Sequence, residues 1–464
     1  METKKKYGMR YRLITILLGL ALWATPGAAQ LLPIPILPGP TSNNTPQRYI
    51  VRAPGGINCD SMCVVQKLCR LIGGCPLLEP LGDPLSQVFV ISTSVVDDVL
   101  YRLLDLLGIV HIEVDRLISL LPVSPLISDA TQPPGGLSDR DLVQFYASTV
   151  WNGYASQPAA NVVGANQARS QFQVSGTGTI GIIDTGVDPN HPALAPILVP
   201  GYDFTRNQVG ASEMADLNQS TAYLVDGGAS PILVNGSTIA VLDQSTAYLI
   251  DGHSAFGHGT MVAGIVHLVA PTSQIMPLKA FTVDGTGYTS DIIRAVYYAV
   301  NAVPKVSALN MSFSTPVQSA ELEQAVDYAA SQLVVSAAAA GNDGKEMVVY
   351  PAGFQNDVMA VASTSLSETR STFSNYGSEV WVAAPGEGII STYPGNTYAA
   401  GWGTSFSTPF VTGTGGLLAN VQANMNERAA SSDIAHAEYI GYGMGHGELD
   451  VVRALNAAQN GNHE

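Results

Sequence analysis

The chain has 464 residues, of which 46% are hydrophobic and 12% are charged, and its formal net charge is −16. This length exceeds what one hydrophobic core usually organises, so we expect two or three domains, and the composition excludes a disordered chain. The acidic balance argues against a protein that binds nucleic acid by neutralising phosphates.

The first 29 residues have the pattern of an export signal. Basic residues from Lys4 to Arg12 precede the apolar run Leu13–Trp23, and small residues follow at Gly27–Ala29. This apolar run is too short to span a bilayer. We therefore predict secretion, or another location outside the cytoplasm such as a periplasm, without membrane attachment after cleavage. An uncut amino-terminal membrane anchor is the alternative. A Pro-rich linker at 30–47 follows.

All four cysteines lie close together in the chain, and their use agrees with export. They are Cys59, Cys63, Cys69 and Cys75. Two local disulfides are the prediction, although the sequence does not separate the three pairings that four cysteines allow. A four-thiolate zinc site is the alternative, but the spacing lacks the short C-x2-C pairs typical of such sites.

Residues 48–121 have the pattern of a small α/β domain. Strands are predicted at Tyr49–Ala53, Gln87–Thr93 and Ile109–Arg116. A helix with apolar residues at 3.6-residue spacing lies between the last two strands and ends at Gly108, and a second helix is expected across the cysteines. Residues 122–139 form a turn-rich, exposed linker that is open to cleavage.

From residue 140 to about 460, apolar strands alternate with helical patterns. Strands are predicted at Thr179–Ile183 and Leu333–Ala337, and this alternation predicts a parallel sheet covered by helices on both faces. Residues 217–227 (LNQSTAYLVDG) recur at 242–252 (LDQSTAYLIDG). With the turn pairs between them, they predict an inserted β-meander at about 205–253, either a structural extension or a rim of a substrate cleft.

Four polar residues follow strands or begin helices of this region. Asp184 ends a predicted strand, His258 and Ser405 each begin an apolar helix, and Asn342 lies in a turn after a strand. Each alone is ordinary turn or helix-cap chemistry. Together they are the groups that activate a hydroxyl nucleophile: a carboxylate, an imidazole, a serine and an amide donor for an oxyanion. The chain order Asp, His, Ser excludes the α/β-hydrolase and chymotrypsin arrangements.

Three segments around these residues are similar to the active-site signatures of the subtilisin-like serine peptidases. They are Gly181–Asp188 (GIIDTGVD), Gly257–Gly264 (GHGTMVAG) and Gly403–Gly413 (GTSFSTPFVTG). The resemblance implies a three-layer α/β/α fold and peptide-bond hydrolysis without a cofactor. It also implies that Asp184 orients the imidazole, that His258 is the general base and acid, that Ser405 is the nucleophile and that Asn342 is an oxyanion donor.

The same resemblance implies further parts of the enzyme. Residues 48–121 resemble a family propeptide of ferredoxin-like α/β fold, which would act as chaperone and inhibitor until cleavage within 122–139. Protein or peptide substrates are the implied partners, and nucleic acid is not. A structural calcium remains open, with Asp188, Asp203 and Asp226 as candidate ligands. The implied substrate-binding residues are Ser312, Phe313, Ser314, Ala339, Ala340 and Gly341.

Two other functions use the same residues. A non-catalytic binding protein on the same fold is one, because a fold does not dictate function. An esterase or acyl transferase with the same acyl-enzyme is the other. Labelling by a fluorophosphonate tests the first alternative, and a comparison of peptide and ester turnover tests the second.

Overall fold

A computed structural model describes most of the chain. The described residues are 46–55, 59–95, 97–120, 134–216, 255–422 and 425–461, together with the backbone of four short strands between 222 and 250. The predicted export signal, nearly all of the Pro-rich linker, residue 121 and residues 122–133 of the second linker lie outside them.

The amino-terminal region forms a four-stranded antiparallel sheet with two helices. Its strands lie in the order β2-β3-β1-β4, which is a ferredoxin-like arrangement. The predicted helices and strands are present, and one short additional strand is β2. The elements in chain order are β1 (Gln47–Arg52), α1 (Ser61–Leu71), β2 (Leu78–Pro80), β3 (Val88–Thr93), α2 (Asp97–Leu107) and β4 (His111–Val114).

The cysteines form two disulfides, one at each end of α1. Cys59 is bonded to Cys63 and Cys69 to Cys75. This selects one of the three pairings that the sequence allowed. The zinc alternative is wrong, because a sulfur atom that is bonded to another sulfur is no longer a thiolate ligand.

The two faces of this small sheet pack against different partners. Tyr49, Val51 and Phe89 face α1 and α2 and form a core of the amino-terminal region. Ile50 and Val88 point to the opposite face and belong to the core of the larger region. This alternation follows from the two-residue period of strands. The amino-terminal sheet is therefore packed tightly on the rest of the protein.

A short strand, β5 (Leu117–Ser119), follows this sheet, and the larger region begins at the 3₁₀ turn Gly135–Ser138. Its first elements in chain order are β6 (Leu142–Phe145), β7 (Ser148–Trp151), α3 (Asn152–Ala155), α4 (Pro158–Val162), α5 (Ala165–Phe172), β8 (Thr179–Asp184), β9 (Tyr202–Asp203) and β10 (Gln208–Val209). After the insertion come α6 (His258–Val269), β15 (Gln274–Lys279), β16 (Thr286–Tyr288), α7 (Thr289–Asn301), β17 (Ala308–Met311), α8 (Ala320–Ser331), β18 (Val335–Ala339), β19 (Met359–Thr364), β20 (Val380–Pro385), β21 (Ile389–Tyr393), β22 (Thr397–Gly401), α9 (Thr404–Val421), α10 (Glu427–Ile434) and α11 (Val451–Asn460).

The central sheet has eight strands in the order β10-β9-β15-β8-β17-β18-β19-β20 and is parallel except at β10. Helices α7 and α8 pack together on it, and α6, α9 and α11 form a second group. The predicted three-layer α/β/α fold is confirmed. Among the described residues, no helix is both long and apolar enough to cross a membrane.

The insertion is a nested hairpin and not the predicted meander. Its strands are β11 (Ala222–Leu224), β12 (Pro231–Val234), β13 (Ser237–Val241) and β14 (Tyr248–Ile250). Strand β11 pairs with β14, so the two copies of the sequence repeat pair antiparallel with each other. Strand β12 pairs with β13, which also joins β22. Turn pairs indicate reversals of the chain but not which strands become neighbours.

Another difference concerns the predicted strand Leu333–Ala337, because the strand β18 begins two residues later. Leu333 has a positive φ of 64° and is 41% exposed. It belongs to the turn after α8, whose apolar pattern overlaps that of the strand.

The raised pKa values of two buried glutamates predict that the protein loses stability at alkaline pH. Burial raises the pKa of Glu448 to about 8, and it does the same for Glu427. An acid with a raised pKa contributes stability that is complete below its unfolded pKa, near 4.5, and that is lost as the pH rises through 8. We expect the Glu448→Gln variant to melt several degrees above the parent at pH 9 and close to it at pH 5.

Thermal melts of the two proteins, both carrying Ser405→Ala to prevent autolysis, measure this difference. The full effect of ionising one such group is on the order of 4 kcal/mol. If the melting temperatures of the two proteins differed by the same amount at every pH from 5 to 9, ionisation of Glu448 would not lower stability and the prediction would be wrong.

Candidate active site

Asp184 and His258 form a buried, hydrogen-bonded pair. Asp184 ends β8, and His258 is the first residue of α6 after Gly257, whose φ of 88° suits glycine. The histidine Nδ1 lies 2.8 Å from Asp184 Oδ1 and 3.0 Å from Oδ2. Both side chains are fully shielded from solvent. Nδ1 therefore carries the donated proton, and Nε2 is the nitrogen that is able to accept one.

Ser405 lies in the first turn of α9, one residue before Phe406. Gly403, two residues before Ser405, has a φ of 147°, which glycine adopts readily. The ring of Phe406 lies 5.6 Å from the ring of His258. The Ser405 hydroxyl donates to the carbonyl oxygen of Ser312 at 3.1 Å, and the Ser312 hydroxyl donates back to the Ser405 carbonyl at 2.8 Å. The start of α9 is thus tied to the segment after β17.

Asn342 is oriented by a residue that the sequence analysis missed. Its side-chain oxygen accepts hydrogen bonds from the N–H and the hydroxyl of Thr404, both at 2.9 Å. The amide nitrogen is therefore on the side away from Thr404, and Asn342 and Ser405 line the same cavity. The motif Gly-Thr-Ser placed Thr404 beside the nucleophile, but only the folded chain brings it to Asn342.

The cavity has a volume of about 270 Å³, and three of the six predicted substrate-binding residues line it, namely Phe313, Ser314 and Ala339. The other three have different places. Ser312 is buried and bonded to Ser405, and the N–H of Gly341 donates to the Thr404 hydroxyl. Ala340 instead packs in a small apolar cluster with Val380 and Met444. Ala339 and Ala340 are successive residues at the end of β18, so their side chains point to opposite sides.

The opposite wall of the cavity is formed by the amino-terminal region itself. Strand β5 pairs antiparallel with β16, and the N–H of Leu120 donates to the carbonyl of Gly285 at 2.6 Å. Residues from Leu117 to Leu120 line the cavity together with Ser405. An extended segment that adds a strand in this way occupies the cleft as a peptide ligand would.

Two further buried ionisable side chains, Lys279 and Glu213, bond Thr185, the residue that follows Asp184. The Lys279 ammonium donates to the carbonyl oxygens of Thr185 and Phe281, each at 2.7 Å, and to Asp216 at 2.8 Å. Glu213 is fully buried, and burial raises its pKa to about 7. Neither residue was predicted from the sequence, because lysine and glutamate side chains are usually exposed.

The candidate calcium ligands do not gather at one place in the described residues. Asp203 is neutralised by Arg206, with 2.9 Å between nitrogen and oxygen, and Asp188 accepts the N–H groups of Asn190 and Gly395 at 3.0 Å. Asp226 lies outside the described residues. Within the described ranges, no cluster of three or more His, Cys, Asp or Glu side chains is placed to hold a metal ion.

Comparison with known proteins covers the region that carries these residues. Residues 176–447 match the model of the subtilase family. Thermitase from Thermoactinomyces vulgaris is 36% identical over 267 residues, which are 55% of this chain and 80% of that protein. A thermophilic serine proteinase from Bacillus sp. (strain AK1) is 35% identical over 245 residues, 53% of each chain. Subtilisin BL from Lederbergia lenta is 36% identical over 204 residues, 40% of this chain and 75% of that protein.

Proposed function

The chain belongs to the subtilase family and is a subtilisin-like serine peptidase, and from this premise we propose that it is an exported zymogen that cuts peptide bonds with Asp184, His258 and Ser405. The observation that carries the proposal is the buried His258–Asp184 hydrogen bond, with the imidazole 5.6 Å from the ring of Phe406, the residue after the cavity-lining Ser405. The described residues supply every group that the chemistry needs, without a cofactor.

In the proposed mechanism, the Ser405 hydroxyl attacks the carbonyl carbon of the substrate, and Nε2 of His258 takes its proton. Asp184 holds the Nδ1 proton and stabilises the imidazolium that forms. The developing oxyanion accepts hydrogen bonds from the Asn342 amide nitrogen and from the Ser405 N–H at the start of α9. His258 then gives its proton to the leaving amine, and water repeats the sequence to release the acyl group.

Residues 48–121 act as the inhibitor of this enzyme. Two acids of the amino-terminal region bind the first turns of helices in the catalytic region. Asp115 accepts from the N–H and hydroxyl of Ser290 at 2.9 and 2.8 Å, and Glu113 accepts from the Ala320 N–H at 3.0 Å. Carboxylates are stabilised at helix amino termini. With β5 in the cleft, these contacts support a propeptide that blocks its own active site.

The proposal of export is supported by observations outside the active site. The amino-terminal signal pattern and the two disulfides indicate an oxidising compartment outside the cytoplasm. Substrates are proteins or peptides, because an extended chain already fits the cleft as an added strand.

A fluorophosphonate probe tests the proposed function. We expect it to label the activated protein at Ser405 and to leave Ser405→Ala unlabelled. We also expect Ser405→Ala to remain uncut unless wild-type enzyme is added. A wild-type protein that stays unlabelled after activation would instead favour the binding-protein alternative, and self-maturation of purified Ser405→Ala would contradict the zymogen mechanism. Faster turnover of esters than of matched peptides would favour the esterase alternative.

The maturation cut has a predicted range within the linker. Pro122 has no N–H and restricts the residue before it, so we expect the Leu121–Pro122 bond to resist cleavage. On the other side, Leu137 is fully buried in the catalytic region, which protects the bonds around it. Because the segment that ends at Leu120 lines the cavity with Ser405, amino-terminal sequencing of the mature protein should find a first residue between 121 and 135 and other than Pro122. A mature chain that begins at Pro122 or beyond Leu137 would contradict this prediction.

A further inference from the structure

The mechanism above leaves one buried acid near the active site without a role. Glu213 begins a 3₁₀ turn, Glu213–Asp216, and its side chain is fully shielded from solvent. Burying a carboxyl group is unfavourable unless its oxygens are hydrogen-bonded. The position of its partners therefore indicates what the residue does.

Both oxygens of Glu213 receive hydrogen bonds from groups beside the catalytic pair. Oε2 accepts from the N–H of Gly257 at 2.8 Å and from the hydroxyl of Thr185 at 3.2 Å. Oε1 accepts from the hydroxyl of Thr260. Thr185 directly follows Asp184, and Gly257 and Thr260 flank His258. One carboxyl group thus joins the end of β8 to the start of α6.

The two threonines extend this connection to the backbone. The Thr185 hydroxyl accepts from the N–H of Gly259 at 3.0 Å, and the Thr260 hydroxyl accepts from the N–H of Asp188 at 2.8 Å. The segments also touch directly, because a Cβ on Gly259 would lie 2.0 Å from the carbonyl oxygen of Gly186. The loop after Asp184 and the first turn of α6 therefore form one cross-linked unit around Glu213.

We propose that Glu213 is a positioning residue, which holds the backbones that carry Asp184 and His258 at the separation needed for proton transfer. The proposal rests on the triad proposed above. A misplacement of about 1 Å can cost about 100-fold in rate even where binding is retained, because the reacting groups must be aligned. Glu213 contacts no reacting atom, so its effect passes through Asp184 and His258.

A carboxyl group suits this place better than an amide. Three donors converge on its two oxygens, whereas a glutamine side chain offers one acceptor and two N–H groups. Lys279 supplies an opposite charge from the next strand and also bonds the carbonyl of Thr185. We therefore expect glutamine to keep only part of the connection and alanine to keep none of it.

Two variants and a matched control test the proposal in the full-length protein after activation. We expect Glu213→Ala to lower kcat about 100-fold with KM changed less than about threefold, and Glu213→Gln to recover part of the loss. The control is Glu448→Gln, a buried glutamate whose carboxyl accepts a hydrogen bond from Thr364 at 3.1 Å, outside the segments that carry Asp184 and His258. Its kcat should equal that of the wild type.

A spectroscopic readout separates positioning from a general loss of stability. The far-downfield proton NMR signal of the His258 Nδ1–H reports its hydrogen bond to Asp184, and we expect it to shift or disappear in Glu213→Ala but not in Glu448→Gln. Thr260→Val, which removes one of the three donors, provides a further variant if Glu213→Ala does not fold.

The outcomes distinguish this inference from the proposed function. A folded Glu213 variant with unchanged kcat and an unchanged Nδ1–H signal overturns the positioning role. A wild type that never labels at Ser405 overturns the proposed function instead, and the NMR signal then still decides whether Glu213 positions His258.

Discussion

Asp184→Asn should lower kcat by about 10⁴-fold while the protein still folds, the size expected when the acid of such a triad becomes its amide. The asparagine amide would place a donor against Nδ1 of His258, which reverses the tautomer of the imidazole. Nε2 would then carry a hydrogen and could not take the proton of Ser405. Steady-state kinetics on a peptide substrate measure kcat and KM, and circular dichroism checks the fold.

Asp203→Asn is the matched control for this experiment. Like Asp184, Asp203 is buried and is the last residue of a strand of the central sheet. Its side chain is bonded to Arg206 rather than to a histidine. We expect its kcat to stay within about threefold of the wild type, because buried carboxylates away from the reacting groups affect stability more than rate. If Asp184→Asn kept a tenth of the activity, the assignment of the triad would be wrong.

Motifs indicated the reactive residues in the sequence because each lies within two residues of a glycine and close to a helix or strand end. Asp184, His258, Asn342 and Ser405 all come from such places. The structure pairs Asp184 with His258, lines one cavity with Asn342 and Ser405, and packs Phe406 against the His258 ring. Local patterns also gave the helices of the amino-terminal region. Local patterns do not predict which distant segments pair with each other, as the nested hairpin of the insertion shows.

The residues that support the site were harder to predict for the same reason. Thr404 is informative only once it meets Asn342, and Glu213 only once it meets Thr185 and Thr260. Each of these contacts joins residues that are far apart in sequence. Conversely, Ala339 ends β18 and lines the cavity, whereas Ala340, the next residue, packs in a separate apolar cluster. Proximity to a motif in the sequence therefore predicts that a residue lies near the cleft, but it does not predict which way its side chain points.

Arg52→Met should weaken the inhibition of the enzyme by its amino-terminal region about 100-fold or more. Arg52 in β1 donates two hydrogen bonds to Glu321 in α8, at 3.0 and 2.5 Å, and the side chain of Glu321 is fully buried. Removing one partner of a buried ion pair leaves the other charged and unpaired, at a cost of about 3–5 kcal/mol. That cost falls on the complex, because separation returns Glu321 to water.

The double variant Arg52→Met with Glu321→Met gives the sharper result. Replacing both partners of a buried pair by apolar side chains is often neutral, so we expect it to recover most of the inhibition that the single variant loses. Activity in the freshly cut, unpurified zymogen reports inhibition directly, and gel filtration shows whether the cut amino-terminal region stays bound. If Arg52→Met alone leaves the cut protein inhibited, β5 in the cleft and the acids at the two helix starts hold the inhibitor without this ion pair.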